Sequence, residues 1–291
     1  MTLDSIDPLD SVTVIVVTYN SAHCLMALDP LLRHCPQVLV SDNASGDGTA
    51  QQAKALWPHA HVIEHARNLG FGAANNRALE RVTTPFSLLL NPDCELSRGQ
   101  LLQLLHSAAM WPEAAMVAPQ LVDARTQPEI NYRWPSTHWA SRGPGASGPL
   151  SVGFVCGAAM LLRMHVCQTT GFFDERFFLY YEDDDLCLRF FNAHLSMIII
   201  PDIQAVHRSR GSVKGKSPWR SEYWRGYHHA QSKLIFANKH QTASVAKALR
   251  RQLIWQTMVI LPLRVLLFSP KHVARMWGRL KGAVHWPGNR R

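Results

Sequence analysis

Ser11-Val-Thr-Val-Ile-Val-Val-Thr-Tyr-Asn-Ser21 opens on a β-branched run and closes on three polar residues. Val, Ile and Thr at successive positions suit a strand buried on both faces, which places a parallel sheet in view from the first residues of the chain. The theme returns in Gln37-Val-Leu-Val-Ser41, His61-Val-Ile-Glu64 and Phe86-Ser-Leu-Leu-Leu90, with helix-like segments over Ser21 to Cys35, Asp47 to Trp57 and Gly72 to Val82. Strands alternating with helices predict an α/β fold with a doubly wound, mostly parallel central sheet. Ligands bind such sheets outside the carboxyl ends of the strands.

The residues just after each run are accordingly the first candidates for a site. They are Thr18-Tyr-Asn-Ser21, Ser41-Asp-Asn-Ala-Ser-Gly-Asp-Gly-Thr49, Arg67-Asn-Leu-Gly-Phe-Gly72 and Asn91-Pro-Asp93. Each has a structural excuse taken singly: Asn20, Ser21, Asp47 and Thr49 suit helix N-caps, Gly46 and Gly48 suit positive-φ turns, and Asn91-Pro-Asp93 suits a plain turn. All four fall at one edge of the inferred sheet, and that coincidence favours a site. Gly70-Phe-Gly-Ala-Ala-Asn75 half-matches a dinucleotide loop but lacks its third glycine.

A second signal lies in Gly171-Phe-Phe-Asp-Glu-Arg-Phe-Phe-Leu-Tyr-Tyr-Glu-Asp-Asp-Asp-Leu-Cys-Leu-Arg189. Four adjacent carboxylates, Glu182 to Asp185, follow an aromatic run, where like charge and lost hydration both raise the cost of ionisation. Cations, hydrogen-bond donors or a reacting hydroxyl would have to engage them. An acidic helix start, favoured by the helix dipole, is the simpler explanation of the same residues.

Composition bounds the rest. The 291 residues are 47% hydrophobic and 18% charged, ample for a large core and unlike a disordered chain. No N-terminal stretch reads as a secretory signal, so a cytoplasmic location is expected. Cys24, Cys35, Cys94, Cys156, Cys167 and Cys187 lack Cys-x-x-Cys spacing and read as reduced core thiols. The net charge of +9 is unevenly spread: from Ile203 onward there are 18 Lys plus Arg and a single acid, Glu222. Within that basic region Leu253 to Phe268 is apolar but interrupted by Gln256, Pro262 and Arg264, and too short for a confident membrane crossing. It reads equally as an interfacial helix, flanked by Arg250, Arg251, Lys271, Arg275, Arg279 and Lys281 with Trp255, Trp277 and Trp286, or as a core helix.

Taken together, Val17-Thr-Tyr-Asn-Ser21, Ser41 to Thr49, Asn68-Leu-Gly-Phe-Gly-Ala-Ala-Asn-Asn-Arg77, Asn91-Pro-Asp93, Gly171-Phe-Phe-Asp-Glu175 and Tyr181-Glu-Asp-Asp-Asp-Leu186 resemble the family-2 inverting glycosyltransferases, in the rhamnosyltransferase-like branch. The resemblance covers roughly residues 11 to 210 and implies a GT-A type catalytic domain over 1–210, with 211–291 as a basic, helical C-terminal region. It implies that Thr18, Tyr19 and Asn20 line a nucleotide pocket, that Asp42 hydrogen-bonds the pyrimidine beside Asn43, and that Asn68, Gly70 and Arg77 lie near the ribose or diphosphate. Asp93 corresponds to the last acid of the family's metal motif, whose first acid is replaced here by Asn91; Mg2+ or Mn2+ is the expected ion. His207 matches a position that supplies an imidazole ligand in some relatives, although a plain surface histidine is an open alternative. Ser151 to Leu162 resembles the family strand of small residues near the donor sugar, with Gly157 and Ala158 giving it room.

Inverting transfer needs one base for the acceptor hydroxyl. The resemblance places Asp183 in that role with Glu182 as the alternative, leaving Asp185 and Arg189 structural or acceptor-orienting; Asp174 and Glu175 read as helix caps, with binding of the acceptor sugar as the alternative. Gln127 to Leu150, rich in Pro and Gly and carrying Tyr132, Trp134 and Trp139, reads as a mobile loop or as one anchored to the core. The implied donor is a nucleoside-diphosphate sugar, dTDP-rhamnose being favoured over UDP- or GDP-sugars. The implied acceptor is a glycan, free or linked to polyprenyl diphosphate, with the basic tail against an anionic membrane surface on the cytoplasmic side. A nucleotidyltransferase would need a Gly-rich basic first loop, a nucleic-acid binder would leave the acidic quartet unexplained, and an inactive sugar-binding relative would not need Asp42, Asp93 and Asp183 together.

Overall fold

The structure is a computed structural model and describes residues 7–130, 132, 145–209, 211 and 217–288. They form two compact units: one of 7–69, Ala73–Phe173 and 186–211, the other of Gly70–Gly72, Asp174–Asp185 and 217–288.

The first unit is built on a sheet of β1 (Val12–Thr18), β2 (Gln37–Asp42), β3 (His61–Glu64), β4 (Phe86–Leu90), β5 (Cys94–Glu95), β6 (Ala114–Val122), β7 (Leu150–Ser151), β8 (Ala159–Arg163) and β9 (Ser196–His207). Its order is β3-β2-β1-β4-β8-β6-β9-β5, with β7 on β9. The β3-β2-β1-β4 side is wholly parallel; β8 runs antiparallel to β4 and β6, while β6 and β9 form another parallel pair. The helices α1 (Leu25–Leu32), α2 (Thr49–Leu56), α3 (Phe71–Leu79), α4 (Arg98–Met110) and α5 (Met164–Thr170) connect the strands, and α6 (Glu182–Asn192) precedes β9. The alternation read from the β-branched runs is thus the observed one, because strands covered on both faces must be apolar throughout: Val12, Val14, Ile15 and Val16 are fully buried. Trp57, also fully buried, satisfies its indole N–H on Asp29 Oδ1 at 3.0 Å.

The segment read as one strand over Ser151 to Leu162 is interrupted. Only Leu150–Ser151 and Ala159–Arg163 pair in the sheet; between them Val155 N–H donates to the Cys187 thiol sulfur at 3.3 Å, so the backbone finds its partner on α6. None of the six cysteines is in a disulfide; Cys35, Cys94, Cys167 and Cys187 are buried, whereas Cys24 and Cys156, read as core thiols, are only half-buried. Tyr132 is buried and its hydroxyl donates to Gln120 Oε1. Trp134 and Trp139 lie outside the described residues.

The second unit is helical: α7 (Pro218–His240), α8 (Ala243–Leu266) and α9 (Pro270–His285). Ser217 and Thr242 cap α7 and α8 by accepting from Arg220 and Val245 N–H, and Pro270 occupies the first turn of α9. Glycines set the approach of α7 to α9. A Cβ on Gly226 would land on the Arg275 carbonyl, one on Gly278 on the Tyr223 carbonyl, and one on Gly282 on the Tyr227 carbonyl. The apolar stretch of α8 is packed on one face only, through Ala246, Leu253 and Thr257. Its other face and the following turn are open: Trp255 is 63% exposed, Leu266 71% and Phe268 91%. Among the described residues no helix is long and apolar enough to cross a membrane.

Candidate active site

The strand-end loops of the first unit hold one another by hydrogen bonds from side chains that the sequence had marked. Thr18 and Asp42 are register partners at the ends of β1 and β2, and Thr18 Oγ1 donates to Asp42 Oδ1 at 2.8 Å. Asp42 also accepts from Ser45 N–H at 2.9 Å and from Ser45 Oγ at 2.5 Å. A carboxylate has about four acceptor positions, so this buried group is largely committed to shaping its own loop. Asn20, at φ 52°, donates its N–H to Ser45 Oγ and accepts from Gly46 N–H, each at 2.8 Å. Asp47 accepts from Ala22 and Thr49; burial alone would raise its pKa, but these bonds hold it below the usual carboxylate range. Tyr19 stays partly exposed beside them.

Asn43 is buried and its Oδ1 accepts from Leu69 N–H at 3.0 Å, which fastens the β2 loop to the one carrying Asn68. Arg77 pairs with Glu80, just past the end of its helix, at 3.1 Å. Its charge also reaches the His65 ring, whose pKa is lowered first by burial and then by Arg77. Gly70 belongs to the second unit. At φ +93°, with a Cβ that would strike the Phe178 backbone, the position admits only glycine.

After β4, Asn91 N–H donates to the Ala158 carbonyl at 2.9 Å, and Gly157 is buried next to it in sequence. Asp93 is buried; its Oδ2 accepts from Gly211 N–H at 2.9 Å and its backbone carbonyl from Arg208 N–H at 2.8 Å. Because Cys94 pairs with His207 across β5 and β9, the carboxylate of Asp93 and the imidazole of His207 share one neighbourhood. His207 Nδ1 lies 3.3 Å from Glu129 Oε2. Burial alone would lower the pKa of His207, but the bond to Glu129 and the charges of Asp93 and Glu129 raise it. A carboxylate on Nδ1 leaves Nε2 directed elsewhere, as is common for metal-ligating histidines. Among the described residues no three His, Cys, Asp or Glu gather as a metal cage. Two donors still fit Mg2+ or Mn2+ bound chiefly through substrate phosphates and water.

The acidic quartet is the first turn of α6, so the helix-start explanation is correct as far as it goes. The four members nonetheless differ. Glu182 is buried with Oε2 lacking a hydrogen-bond partner among the described residues, and burial followed by the Asp183 charge pushes its pKa well above the carboxylate range. Asp183 and Asp184 are half-buried, Asp183 Oδ1 accepting from Asp184 N–H at 3.0 Å. Asp185 is fully buried, with Oδ1 2.6 Å from Lys239 Nζ and 2.7 Å from His240 Nε2. Tyr180 and Tyr181, just before the helix, both adopt left-handed backbone, φ 70° and 68°. Such strain costs about 1 kcal/mol per residue and gathers at functional sites.

Asp174 does not cap a helix, since none begins before Glu182; its carboxylate instead pairs with Arg176 at 2.6 Å and Lys239 at 2.7 Å. Burial alone would raise its pKa, but those two partners hold it below the ordinary range. Arg189 donates to the carbonyls of Thr170, Gly171 and Phe172, stapling α6 to the preceding turn. Glu129, Lys239 and His240 carried no sequence signal: the last two sit among many cations and meet their carboxylates only through the fold.

Residues 13–171 match the profile of Glycosyl transferase family 2. The chain is 27% identical over 268 residues to the N-acetylglucosaminyl-diphospho-decaprenol L-rhamnosyltransferase of Mycobacterium tuberculosis, covering 79% of this chain and 85% of that protein. Among solved structures, the mannosyltransferase PcManGT from Pyrobaculum calidifontis in complex with GDP-Man and Mn2+ is 18% identical with a TM-score of 0.56, covering 94% of this chain and 86% of that one. GalNAc-T7 with UDP, GalNAc and Mn2+ is 10% identical with a TM-score of 0.57, covering 81% of this chain, which spans only 54% of that protein. The two structural likenesses establish a shared α/β transferase fold.

Proposed function

The chain belongs to glycosyl transferase family 2 and is a glycosyltransferase; from that premise we propose that it moves rhamnose from dTDP-rhamnose to a glycan acceptor linked to polyprenyl diphosphate. The observation that carries the donor and acceptor is the likeness, over 79% of the chain, to a rhamnosyltransferase named for a diphospho-decaprenol substrate. In this reading the Thr18, Asn20, Asp42 and Asn43 loops hold the nucleotide. Asp183 takes the proton of the acceptor hydroxyl as its oxygen attacks the anomeric carbon and the bond to the departing diphosphate breaks. Burial, and then the charge of Asp183, raise the pKa of Glu182, which disfavours a second charge beside Asp183. Mg2+ or Mn2+, held by Asp93 and His207, would supply positive charge to the diphosphate.

The C-terminal helices would rest on an anionic membrane at the cytoplasmic side, with the exposed residues around Trp255 and Phe268 in the lipid interface and no acid from residue 241 to 291 to repel it. Transfer assays with dTDP-rhamnose and with UDP- and GDP-sugars, in Mg2+, Mn2+ or chelator, test this function. Metal-dependent consumption of dTDP-rhamnose that D93A reduces at least 100-fold is expected. Turnover of another nucleotide class alone would reassign the donor.

A further inference from the structure

The exposed apolar side chains of the second unit differ in kind from helix to helix. Those on α8, from Val245 to Leu266, are mostly aliphatic, whereas the large apolar side chains that α7 exposes are the indoles of Trp219 and Trp224. Aliphatic surface suits lipid chains; a bare aromatic ring presents an electron-rich face that suits weakly positive C–H groups. Trp224 is not a loose side chain. The ring of His228, one turn further along α7, lies 5.5 Å from it and 22° from parallel, and His228 also stacks on Phe178 at 4.2 Å and 23°. Tyr223 and Tyr227 meet the indole edge to face at 5.2 and 5.4 Å. Three rings therefore orient Trp224, yet 43% of it remains exposed. A ring held in place before a ligand arrives loses little freedom when one binds. Polar groups accompany it. Burial depresses His228 to about 4, so its imidazole is neutral at physiological pH and offers one donor and one acceptor, neither of which hydrogen-bonds a described residue. The Tyr227 hydroxyl has a long contact, 3.5 Å, with His285 Nδ1.

We propose that Trp224, His228, Tyr223 and Tyr227, backed by Phe178, form a sugar-stacking subsite that receives a pyranose ring of the acceptor glycan. A pyranose carries C–H groups on its faces and hydroxyls around its edge, which matches an oriented indole bordered by a neutral imidazole and tyrosine hydroxyls. A nucleobase would stack on the same indole, but the β1 and β2 loops assigned to the nucleotide belong to the first unit. Phe178 instead leads, through the left-handed Tyr180 and Tyr181, to Asp183, the proposed base for the acceptor hydroxyl, and this whole segment belongs to the same unit as Trp224. Tyr180 and Tyr181 lie edge-on to His229, the next residue of α7, at 5.6 and 5.5 Å, so that segment and the subsite share one packed ring cluster. The inference rests on the glycan acceptor proposed above.

Saturation-transfer NMR on the full chain tests the subsite, with the methyl β-glycosides of N-acetylglucosamine, glucose and galactose as probes and dTDP as control. Wild type is expected to saturate at least one glycoside most strongly on the ring hydrogens of one face. Trp224→Leu keeps apolar bulk but removes the π face, and should weaken that glycoside about fivefold while dTDP affinity changes less than about twofold. Trp224→Phe should recover part of the loss. His228→Phe keeps a stacked ring but removes both nitrogens, and should weaken the glycoside about threefold. Thermal unfolding of each variant guards against misfolding, and Trp224→Phe keeps the comparison if Trp224→Leu fails to fold. Equal glycoside binding by wild type and Trp224→Leu, or no face-selective saturation by wild type, would overturn the subsite. Weakening of dTDP in place of the glycoside would overturn it in favour of a base-stacking role. Loss only of binding to phosphatidylglycerol vesicles would overturn it in favour of a lipid contact. Because binding is read without sugar transfer, failure of the rhamnosyl reading in the donor assay leaves this result separately interpretable.

Discussion

The strand-end loops of the first unit and the charged helices of the second treat polar groups in opposite ways. Asp42 and Asp47 are satisfied by hydroxyls and amides from the same or adjacent loops, within about thirty residues of sequence. Asp174 and Asp185 find Lys239 and His240 more than fifty residues away, and Glu182 keeps a buried oxygen without a hydrogen-bond partner among the described residues. Locally satisfied loops are rigid and individually cheap to perturb. Long-range charge clusters hold buried charges against desolvation, so removing one partner exposes the full penalty of the other.

The largest effect expected on this contrast is catalytic. Asp183→Asn should lower the transfer rate on the order of 10³-fold, within the range attributable to a general base, with nucleotide affinity unchanged by calorimetry; a variant retaining a tenth of the activity would move the base elsewhere in the quartet. Next comes Lys239→Met, which removes the cation 2.6 Å from the fully buried Asp185 and should cost about 3 kcal/mol in urea unfolding. Thr18→Val, in the locally bonded loops, should cost only about 1 kcal/mol by the same measurement. If the two substitutions cost the same, the distinction between the regions fails.

The smallest effect is a pH slope. Glu182 is raised in the folded state, so on going up in pH the unfolded chain loses this proton first, and stability falls from the ordinary carboxylate range upward until the folded group ionises too. Glu182→Gln should therefore be more stable than wild type at neutral pH without ligand and should flatten the slope above pH about 4.5. Asp174 has the opposite sign: its lowered pKa gives stability that is complete above the ordinary carboxylate range and is lost as pH falls. Asp174→Asn should flatten the acid limb measured by thermal unfolding.

Much of the first unit was legible in the sequence because its information is local. The β-branched runs gave β1 to β4 to within a residue or two, and the loops after them carried their own capping and turn residues. The Ser151 to Leu162 strand was misread because apolar, glycine-containing runs do not reveal that a backbone amide will bond a cysteine on α6. Asp174 was misread as a cap because an acid three residues after glycine looks the same whether its partner is a helix amide or a distant lysine.

Sequence by itself determined the class of fold, the order of the motifs, the family and the separation of acidic from basic charge, since each depends on residue type and spacing. Tertiary structure alone decided which carboxylate of the quartet has its pKa raised by burial, which is paired with Lys239 and His240 and which remain half-exposed, and that Glu129 backs His207. The physical reason is that desolvation and ion pairing depend on distances between residues far apart in the chain, and composition carries no record of those distances.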